Sequence, residues 1–182
     1  MDRSIEDAEI LSIVDRNDVV IGEKRRDEIH NLNLFHRSIH VLIFNSYGEI
    51  FLQQRGLLKR ESPGLWASSV SGHVDAGESY DVACLREIEE EVQIKITKVP
   101  RKLFKLSPSK LTANEFSWVY YLETDEKLTP NLSEIERGQW HSKNSLNDFI
   151  TNNPDEVADL FIHIWEKSVS YTHLTLPTKR IV

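Results

Sequence analysis

Runs of β-branched and apolar residues, separated by short polar turns, predict a series of strands along the chain. They lie at EILSIVD (9–15), VVIGEKR (19–25), SIHVLIFN (38–45), EIFLQQR (49–55), WASSV (66–70), IKIT (94–97) and FSWVYYLE (116–123). SIHVLIFN is the strongest of them, because it is mostly apolar and is followed by the turn-forming residues Ser46-Tyr47-Gly48. EIFLQQR follows this turn directly, and we expect it to be the hairpin partner of SIHVLIFN.

The pattern changes to a helical period after Ser79, which can cap a helix that runs to about Val92. The apolar positions that recur at helical spacing, and so predict the buried face of this helix, are Val82, Leu85, Ile88 and Val92. Two closing helices are predicted, one at residues 143–151 and one from Pro154 to about Lys167. Several strands with few helices predict an α/β (α+β) fold in which helices cover a sheet.

Composition narrows the class of protein. The chain has 182 residues, a length typical of one domain, and its hydrophobic fraction of 40% is enough for a packed core. Cys84 is the only cysteine, which excludes an internal disulfide and a cysteine-based zinc site. We expect a cytoplasmic protein, because no apolar run reaches the roughly 18 residues of a membrane span and no secretory signal pattern is seen. The formal charge of −7 argues against general nucleic-acid binding.

The last fourteen residues, VSYTHLTLPTKRIV from Val169, form a separate segment. They contain no acidic residue and show neither a helical nor a strand period. They resemble a translated sequencing adapter, so we interpret residues 169–182 as a non-native tail and residues 1–168 as a single domain. An ordinary disordered tail is the alternative interpretation.

Four of the five positions from Glu87 to Glu91 are glutamate, which is unusual for the second half of a helix. Residues three and four apart share a helix face, so the carboxylates of Glu87, Glu90 and Glu91 project together, whereas Glu89 points elsewhere. Each like-charged pair costs roughly a few tenths of a kcal/mol, and the helix dipole disfavours anions at this end. A bound hard cation such as Mg²⁺ or Mn²⁺ would remove the repulsion, and a solvated acidic face is the alternative.

The wider spacing separates these alternatives. Residues 72–94 read GHVDAGESYDVACLREIEEEVQI, with glycine, glutamate, arginine and paired glutamates at the intervals of the Nudix box. The chain is therefore identified, by resemblance, as a member of the Nudix family. One position departs from the motif, because Gln93 stands where the family usually has the glycine that ends the helix in the left-handed conformation.

The resemblance implies an α/β/α sandwich around a mixed sheet. It also implies hydrolysis of a small-molecule diphosphate joined to a further group, X, with Mg²⁺ or Mn²⁺ as the cofactor. By the motif, Glu87, Glu90 and Glu91 would be the metal ligands, and Glu90, Glu91 and Arg86 would be the catalytic residues. Many relatives pair, so a homodimer is one assembly state that the resemblance leaves open.

Other residues are candidates for binding the substrate or shaping its site. By the motif, Gly72 begins the loop that presents the substrate, and Glu78 and Arg86 brace this loop against the helix. The remaining candidates for substrate binding are His73 in the same loop and the basic residues Arg26, Arg55 and Lys59. A solvated surface charge is the alternative for each basic residue.

HRSIHVLIFNSYGEIFLQQR and SPGLWASSVSGHVDAGES resemble the isopentenyl-diphosphate isomerase-like branch of the family, which contains isomerases and Nudix hydrolases. In the isomerases a cysteine precedes the Gly-His of the loop, but Ser71 occupies that position here, and a hydroxyl is a far weaker acid than a thiol. Together with the complete set of box acids, this serine favours hydrolysis. An isomerase, or an inactive diphosphate-binding domain, is the alternative.

The same resemblance raises the prospect of a second metal ion. His36, His73 and Glu115 match metal-site or catalytic positions of the isomerases, and His30 matches with a shift of one residue. Histidines with ordinary hydrogen-bond partners are the alternative. The sequence leaves the general base open among Glu90, Glu134, Glu136 and His73.

Overall fold

The structure is a computed structural model that describes residues 7–175, with side chains described for residues 7–170. Its elements in chain order are β1 (Ile10–Val14), β2 (Val20–Arg25), α1 (Arg26–Asn31), β3 (His36–Phe44), β4 (Ile50–Arg55), β5 (Trp66–Ala67), β6 (Val70–His73), α2 (Tyr80–Val92), β7 (Arg101–Leu106), β8 (Glu115–Glu123), β9 (Ile135–His141), α3 (Lys143–Asn152), a 3-10 turn (Pro154–Glu156) and α4 (Asp159–Thr175). Among the described residues, no helix is long and apolar enough to cross a membrane.

A seven-stranded mixed sheet forms the centre of the fold. Its strands run in the order β5-β4-β3-β8-β7, with β6 also paired to β3 and β9 also paired to β4. β3 and β8 are parallel from His36↔Glu115 to Phe44↔Glu123, and the other strand pairs of this sheet are antiparallel. β1 and β2 form a separate antiparallel hairpin.

Apolar side chains cover both faces of the sheet because the side chains of a strand alternate in direction. On β3, Ile39, Val41 and Ile43 belong to the apolar cluster that includes Ile88 of α2. Leu42 belongs instead to the cluster formed with α3 and α4. Each fully buried Ile or Leu side chain contributes about 1.5–3 kcal/mol by leaving water. Helices therefore sandwich a mixed sheet, and the predicted fold class is confirmed.

The sheet is split beside β3. β6 pairs with the Ser38–Val41 part of β3, whereas β4 meets β3 only at Phe44↔Ile50. The Ser69 hydroxyl joins the diverging strands, because it accepts a hydrogen bond from the backbone N–H of Ile43 and donates one to the carbonyl of Phe51. The cleft between β4 and β6 is where the carboxylate side chains of α2 enter the sheet.

Several strand predictions are wrong in detail because pairing between distant segments decides them. WASSV is two strands, since β5 pairs with β4 and β6 pairs with β3, with Ser68 and Ser69 between them. EIFLQQR is mainly a partner of β9 and β5 rather than a hairpin partner of β3. Residues 94–97 form no strand, because Ile94 packs into the α2 cluster directly after the helix ends. The sequence analysis predicted none of the elements α1, β7 and β9.

The two predicted closing helices are present, but their bounds differ from the predicted ones. The second one begins with a 3-10 turn at Pro154, and its α-helical part continues to Thr175. It therefore extends past Lys167 into the segment that the sequence analysis interpreted as a non-native tail. Residues 176–182 of that segment lie outside the described residues.

Helix α2 begins and ends as the motif predicts. The hydroxyl of Ser79 accepts a hydrogen bond from the backbone N–H of Val82, at 3.3 Å, and caps the helix. At the other end Gln93 has φ 57° and ψ 34°, and its N–H donates to the carbonyl of Glu89. A non-glycine residue in this left-handed conformation is strained by about 1 kcal/mol or more.

Gln93→Gly is therefore expected to raise the free energy of unfolding by roughly 1 kcal/mol, because glycine adopts this backbone conformation without strain. For a chain of this size the melting temperature should rise by about 2–4 °C. Gln93→Ala is the matched control and should melt within about 1 °C of the wild-type protein, because alanine keeps the strained Cβ. A glycine variant no more stable than the alanine variant would contradict the assignment of strain to this residue.

Candidate active site

Helix α2 turns two of its glutamates towards the protein interior. Its buried residues are Tyr80, Ala83, Cys84, Glu87, Ile88, Glu91 and Val92. The predicted buried face is therefore wrong at Val82, which is 52% exposed, and the small residues Ala83 and Cys84 lie against the sheet instead.

Gly72 allows the carboxylate of Glu87 to lie against the backbone of β6. A Cβ atom at position 72 would stand 2.1 Å from Glu87 Oε1, far closer than van der Waals contact. Only glycine fits there without moving a buried carboxylate. The structure thus gives a physical reason for the first glycine of the motif.

Glu91 lies in the cleft between β4 and β6 and is 2% exposed. Its Oε2 atom accepts hydrogen bonds from the side-chain amide of Gln53, at 2.9 Å, and from the backbone N–H of Ser71, at 3.1 Å. These donors come from the two strands that diverge, so the split in the sheet provides the space and the partners for this carboxylate.

Arg86 connects the loop before α2 to the acidic residues on it. Its guanidinium donates to both carboxylate oxygens of Glu78, at 2.9 and 2.8 Å, and to the backbone carbonyl of His73, at 3.0 Å. It also donates to Glu87, at 2.8 Å, and to Glu90, at 3.1 Å. One cation thus contacts two of the three box carboxylates proposed as metal ligands and holds the loop in place. Glu89 lies elsewhere and pairs with Lys95 at 3.4 Å.

Burial raises the pKa of both inner carboxyl groups. The pKa of Glu87 lies well above its usual value because of burial and the neighbouring charge of Glu91. Burial, with the charge of Glu134, raises the pKa of Glu91 to about 7. Two such groups side by side favour either a proton or a cation, and carboxylate oxygens are the ligands that Mg²⁺ and Mn²⁺ prefer. The residues present therefore fit a divalent metal ion.

These residues form one wall of a cavity of about 480 Å³. Arg86, Glu87, Glu90 and Gly72 line it directly, whereas Glu91 lies behind the wall and Glu78 lies outside the lining. The other residues predicted for the site that line the same cavity are Arg26, Arg55, Lys59, His73, Glu115 and Glu134. Three further residues that were predicted for the site, His30, His36 and Glu136, do not line the cavity.

The basic residues of the cavity already have acidic or polar partners. Lys59 Nζ lies 2.9 Å from Glu134 Oε2, and Arg26 Nη1 lies 3.0 Å from Glu9 Oε2. Arg55 donates to the backbone carbonyl of Glu61, at 2.8 Å, and to the hydroxyl of Ser71, at 3.3 Å. Three cations on one concave surface match the charge of a diphosphate.

A second group of metal-ligand type adjoins the cavity, and two of its four members line it. It consists of His30 on α1, His36 on β3, His73 on β6 and Glu115 on β8, with one ligand atom from each within 4.8 Å of the others. His73 Nε2 and His36 Nε2 lie 3.2 and 3.4 Å from Glu115 Oε1. The structure thus brings His30 together with the three residues that the resemblance singled out.

The protonation of this group suits a metal ion. Burial lowers the pKa of His30 to about 4 and that of His73 to about 3, so both imidazoles are neutral at pH 7. Burial disfavours the Glu115 carboxylate, but its contacts with the imidazoles of His36 and His73 hold its pKa well below its usual range. The Nε2 atoms of His30 and His36 are buried without a hydrogen-bond partner. Imidazole nitrogens that lack a hydrogen-bond partner, beside an ionised carboxylate, fit a divalent transition metal.

The polar residues of the cavity that sequence reasoning missed include His40 and Ser68. The signal was present in the alternation of β3, where His36, Ser38 and His40 occupy one face while Ile39 and Val41 occupy the other. This strand was interpreted only as an apolar one. Ser68 gave no signal, because its position depends on the break between β5 and β6.

Comparison with known proteins agrees with this geometry. The family model described as NUDIX domain matches residues 34–161. A protein of Nostoc sp. named as an uncharacterized Nudix hydrolase is 32% identical over 158 residues, which cover 86% of this chain and 94% of that protein. An isopentenyl-diphosphate Delta-isomerase of Serratia proteamaculans is also 32% identical, over 86% of this chain and 89% of its own. The crystal structure of DR0079 from Deinococcus radiodurans superposes with a TM-score of 0.76 at 26% identity, covering 87% of this chain and 98% of that one.

The buried carboxyl pair predicts an unusual pH dependence of stability when no divalent ion is bound. Because the pKa of Glu91 is raised from 4.5 to about 7, the folded state binds more protons than the unfolded state between these values. The wild-type protein should therefore lose stability as the pH rises through this window. At pH 8 in EDTA, Glu91→Gln should be more stable than the wild type by roughly 1–3 kcal/mol, and the difference should fade towards pH 5.

Urea denaturation at pH 5 and pH 8 measures both free energies of unfolding. Glu89→Gln is the control, because Glu89 is exposed, and it should show no such pH-dependent gain. If Glu91→Gln is less stable than the wild type at pH 8, the carboxylate is stabilised by its hydrogen bonds more than it is destabilised by burial.

Proposed function

The chain belongs to the Nudix family, and we propose from this premise that it is a divalent-metal-dependent hydrolase of a small organic or nucleoside-type diphosphate. One observation carries the proposal. Glu87, Glu90 and Arg86 share the wall of a single cavity with the cations Arg55 and Lys59. Acids for the metal and cations for the phosphates are thus within reach of one substrate.

In this proposal Glu87, Glu90 and Glu91 hold Mg²⁺ or Mn²⁺. When bound, the ion would neutralise charge on the phosphates and lower the pKa of a bound water. Arg86 keeps Glu87 and Glu90 in position and ties α2 to Glu78 and to the loop that begins at Gly72.

Arg26, Arg55 and Lys59 bind the diphosphate in this proposal, and their present contacts are exchangeable. The ion pair between Lys59 and Glu134 is close to the cavity, so a phosphate oxygen can replace or share the carboxylate partner. Arg55 retains guanidinium N–H groups for a phosphate while it holds the Ser71 hydroxyl. His73 takes part through the loop backbone, since its carbonyl fixes Arg86.

The candidates for the general base are unequal in the structure. Glu90 and Glu134 both line the cavity and can accept a proton from water there. His73 is a weak base, because its pKa is about 3 through burial and its Nε2 is already bonded to Glu115. Glu136 lies outside the cavity lining and accepts a hydrogen bond from the backbone N–H of Leu57. We propose Glu90 or Glu134 as the base.

A second candidate function is isomerisation, and the group of His30, His36, His73 and Glu115 favours it. The Serratia proteamaculans protein that is 32% identical to this chain is named an isopentenyl-diphosphate Delta-isomerase. The family resemblance implies that isomerases use residues at the positions of this group. Against it stands Ser71, whose hydroxyl accepts a hydrogen bond from Arg55 and is too weak an acid to protonate an alkene. We therefore propose a second metal site in this group without isomerase activity.

Glu91→Gln is expected to reduce Mg²⁺-dependent hydrolysis by at least about 100-fold, because it removes a proposed metal ligand while keeping the shape of the side chain. The assay would incubate the protein with Mg²⁺ and nucleoside, sugar and isoprenoid diphosphates and identify products by mass. Glu89→Gln is the matched control on the same helix and should keep wild-type rates. Full activity of Glu91→Gln would contradict the metal-ligand assignment, and an inactive wild-type protein would contradict the proposed hydrolysis.

Ser71→Cys tests the second candidate function. If the isomerase-type site is otherwise complete, the thiol should produce weak conversion of isopentenyl diphosphate to an isomer of unchanged mass, resolved by chromatography. Ser71→Ala is the control and should give no such product. Isomerisation by the wild-type protein would contradict the claim that Ser71 prevents this reaction. If the cysteine variant forms no isomer, further residues must separate this chain from the isomerases.

A further inference from the structure

The polar face of β3 continues past the histidine group towards the diphosphate end of the cavity. In the register of β3 with β6, Ser38 is opposite His73 and His40 is opposite Ser71. Paired residues on antiparallel strands point to the same face, so His40 lies beside Ser71. The Ser71 hydroxyl is in turn bonded to Arg55. His40 thus occupies the part of the cavity next to the cations proposed to bind the phosphates.

His40 and Ser68 form a hydrogen-bonded pair in the cavity lining. The distance from His40 Nδ1 to Ser68 Oγ is 3.1 Å. His40 Nε2 makes no hydrogen bond to the residues that the structure describes. The pair therefore has one nitrogen position left for a ligand.

The imidazole of His40 is neutral, which makes the pair adaptable. Burial lowers the pKa of His40 to about 4, with Glu115 opposing this shift and Arg55 adding to it. If Ser68 donates to Nδ1, then Nε2–H is a donor towards the cavity; if Nδ1–H donates to Ser68, then Nε2 is an acceptor. Either tautomer offers one hydrogen bond to a group that enters the cavity.

Apolar side chains also line the cavity that contains this pair. Ala67 of β5, and Ala158, Leu160 and Phe161 at the start of α4, line the same cavity. A hydrocarbon group of X would pack against these side chains. It would also displace water from His40 Nε2 without offering a hydrogen-bond partner in its place. A site built to form a hydrogen bond discriminates strongly against a ligand that lacks the partner group.

We propose that His40 and Ser68 recognise a hydrogen-bonding group of X, such as a hydroxyl, carbonyl or amide, next to the diphosphate. The inference rests on the proposed diphosphate hydrolysis and narrows its substrates to those with a polar X. It assigns these two residues to substrate specificity, separately from the box acids that are proposed to hold the metal. Isoprenoid diphosphates are poor substrates under this assignment.

The test compares His40→Leu, His40→Gln and Ser68→Ala with the full-length wild-type protein. The polar probes are ADP-ribose and UDP-glucose, the hydrocarbon probe is isopentenyl diphosphate, and inorganic pyrophosphate reports on the diphosphate end alone. Hydrolysis with Mg²⁺ gives kcat/KM for each probe. Calorimetry with Ca²⁺ in place of Mg²⁺, to slow turnover, gives the dissociation constants.

We expect the wild-type protein to favour the better polar probe over isopentenyl diphosphate by about 100-fold or more in kcat/KM. His40→Leu should lose about 10- to 100-fold on that polar probe, and His40→Gln, which can still donate and accept, should recover part of it. Ser68→Ala should lose less, because it only frees the imidazole. All three should bind inorganic pyrophosphate within about 3-fold of the wild type.

Three results would overturn the assignment: wild-type preference for isopentenyl diphosphate, an unchanged rate of His40→Leu on the polar probe, or an equal loss of pyrophosphate binding. A wild-type protein that hydrolyses none of the probes would instead overturn the proposed function. In that case the role of His40 is still tested by calorimetry, through the ratio of the dissociation constant of the polar probe to that of pyrophosphate. A ratio that His40→Leu leaves unchanged, or no binding of either polar probe, counts against the assignment.

Discussion

The repulsion between the buried carboxylates of Glu87 and Glu91 is the constraint around which the site is built. Burial disfavours the charged form of each group, and a different part of the fold accommodates each carboxylate. Gly72 leaves space for the first, while Gln53 and the Ser71 backbone hydrogen-bond the second. These partners stand on β4 and β6, which can both reach α2 only because the sheet divides beside β3. The apolar clusters on both faces provide the stability that holds this arrangement.

Local sequence signals predicted what local interactions determine. The Ser79 cap, the extent of α2 and the strand at β3 are set within a few residues, and the structure confirms them. Pairing of β4 with β9 and the break at Ser68 depend on contacts between distant segments, so no period in the sequence reveals them. The buried face of α2 was misjudged at Val82 because this helix buries the carboxylates of Glu87 and Glu91 and leaves an apolar side chain in water.

The candidate site shows the same division. Motif spacing predicted the set of carboxylates on α2 and their link to Gly72, because one helix and one loop contain them all. The histidine group is assembled from α1, β3, β6 and β8, and only a family resemblance pointed to it. The alternation of β3 placed His40 on a polar face, but only the strand register shows that this face lies beside Ser71. One face of β3 thus carries the polar residues His36, Ser38 and His40 along its length.

β7 lies at the edge of the main sheet in the described part of the chain, and it reads RKLFKL. Its exposed Arg101 and Lys102 place positive charge along the open backbone, and Lys102 and Lys105 pair with Asp81 and Asp18 of neighbouring elements. Charged side chains on an edge strand oppose pairing with the edge of another molecule. The charges on β7 therefore oppose growth of the sheet at this side by pairing with the strand edge of another molecule.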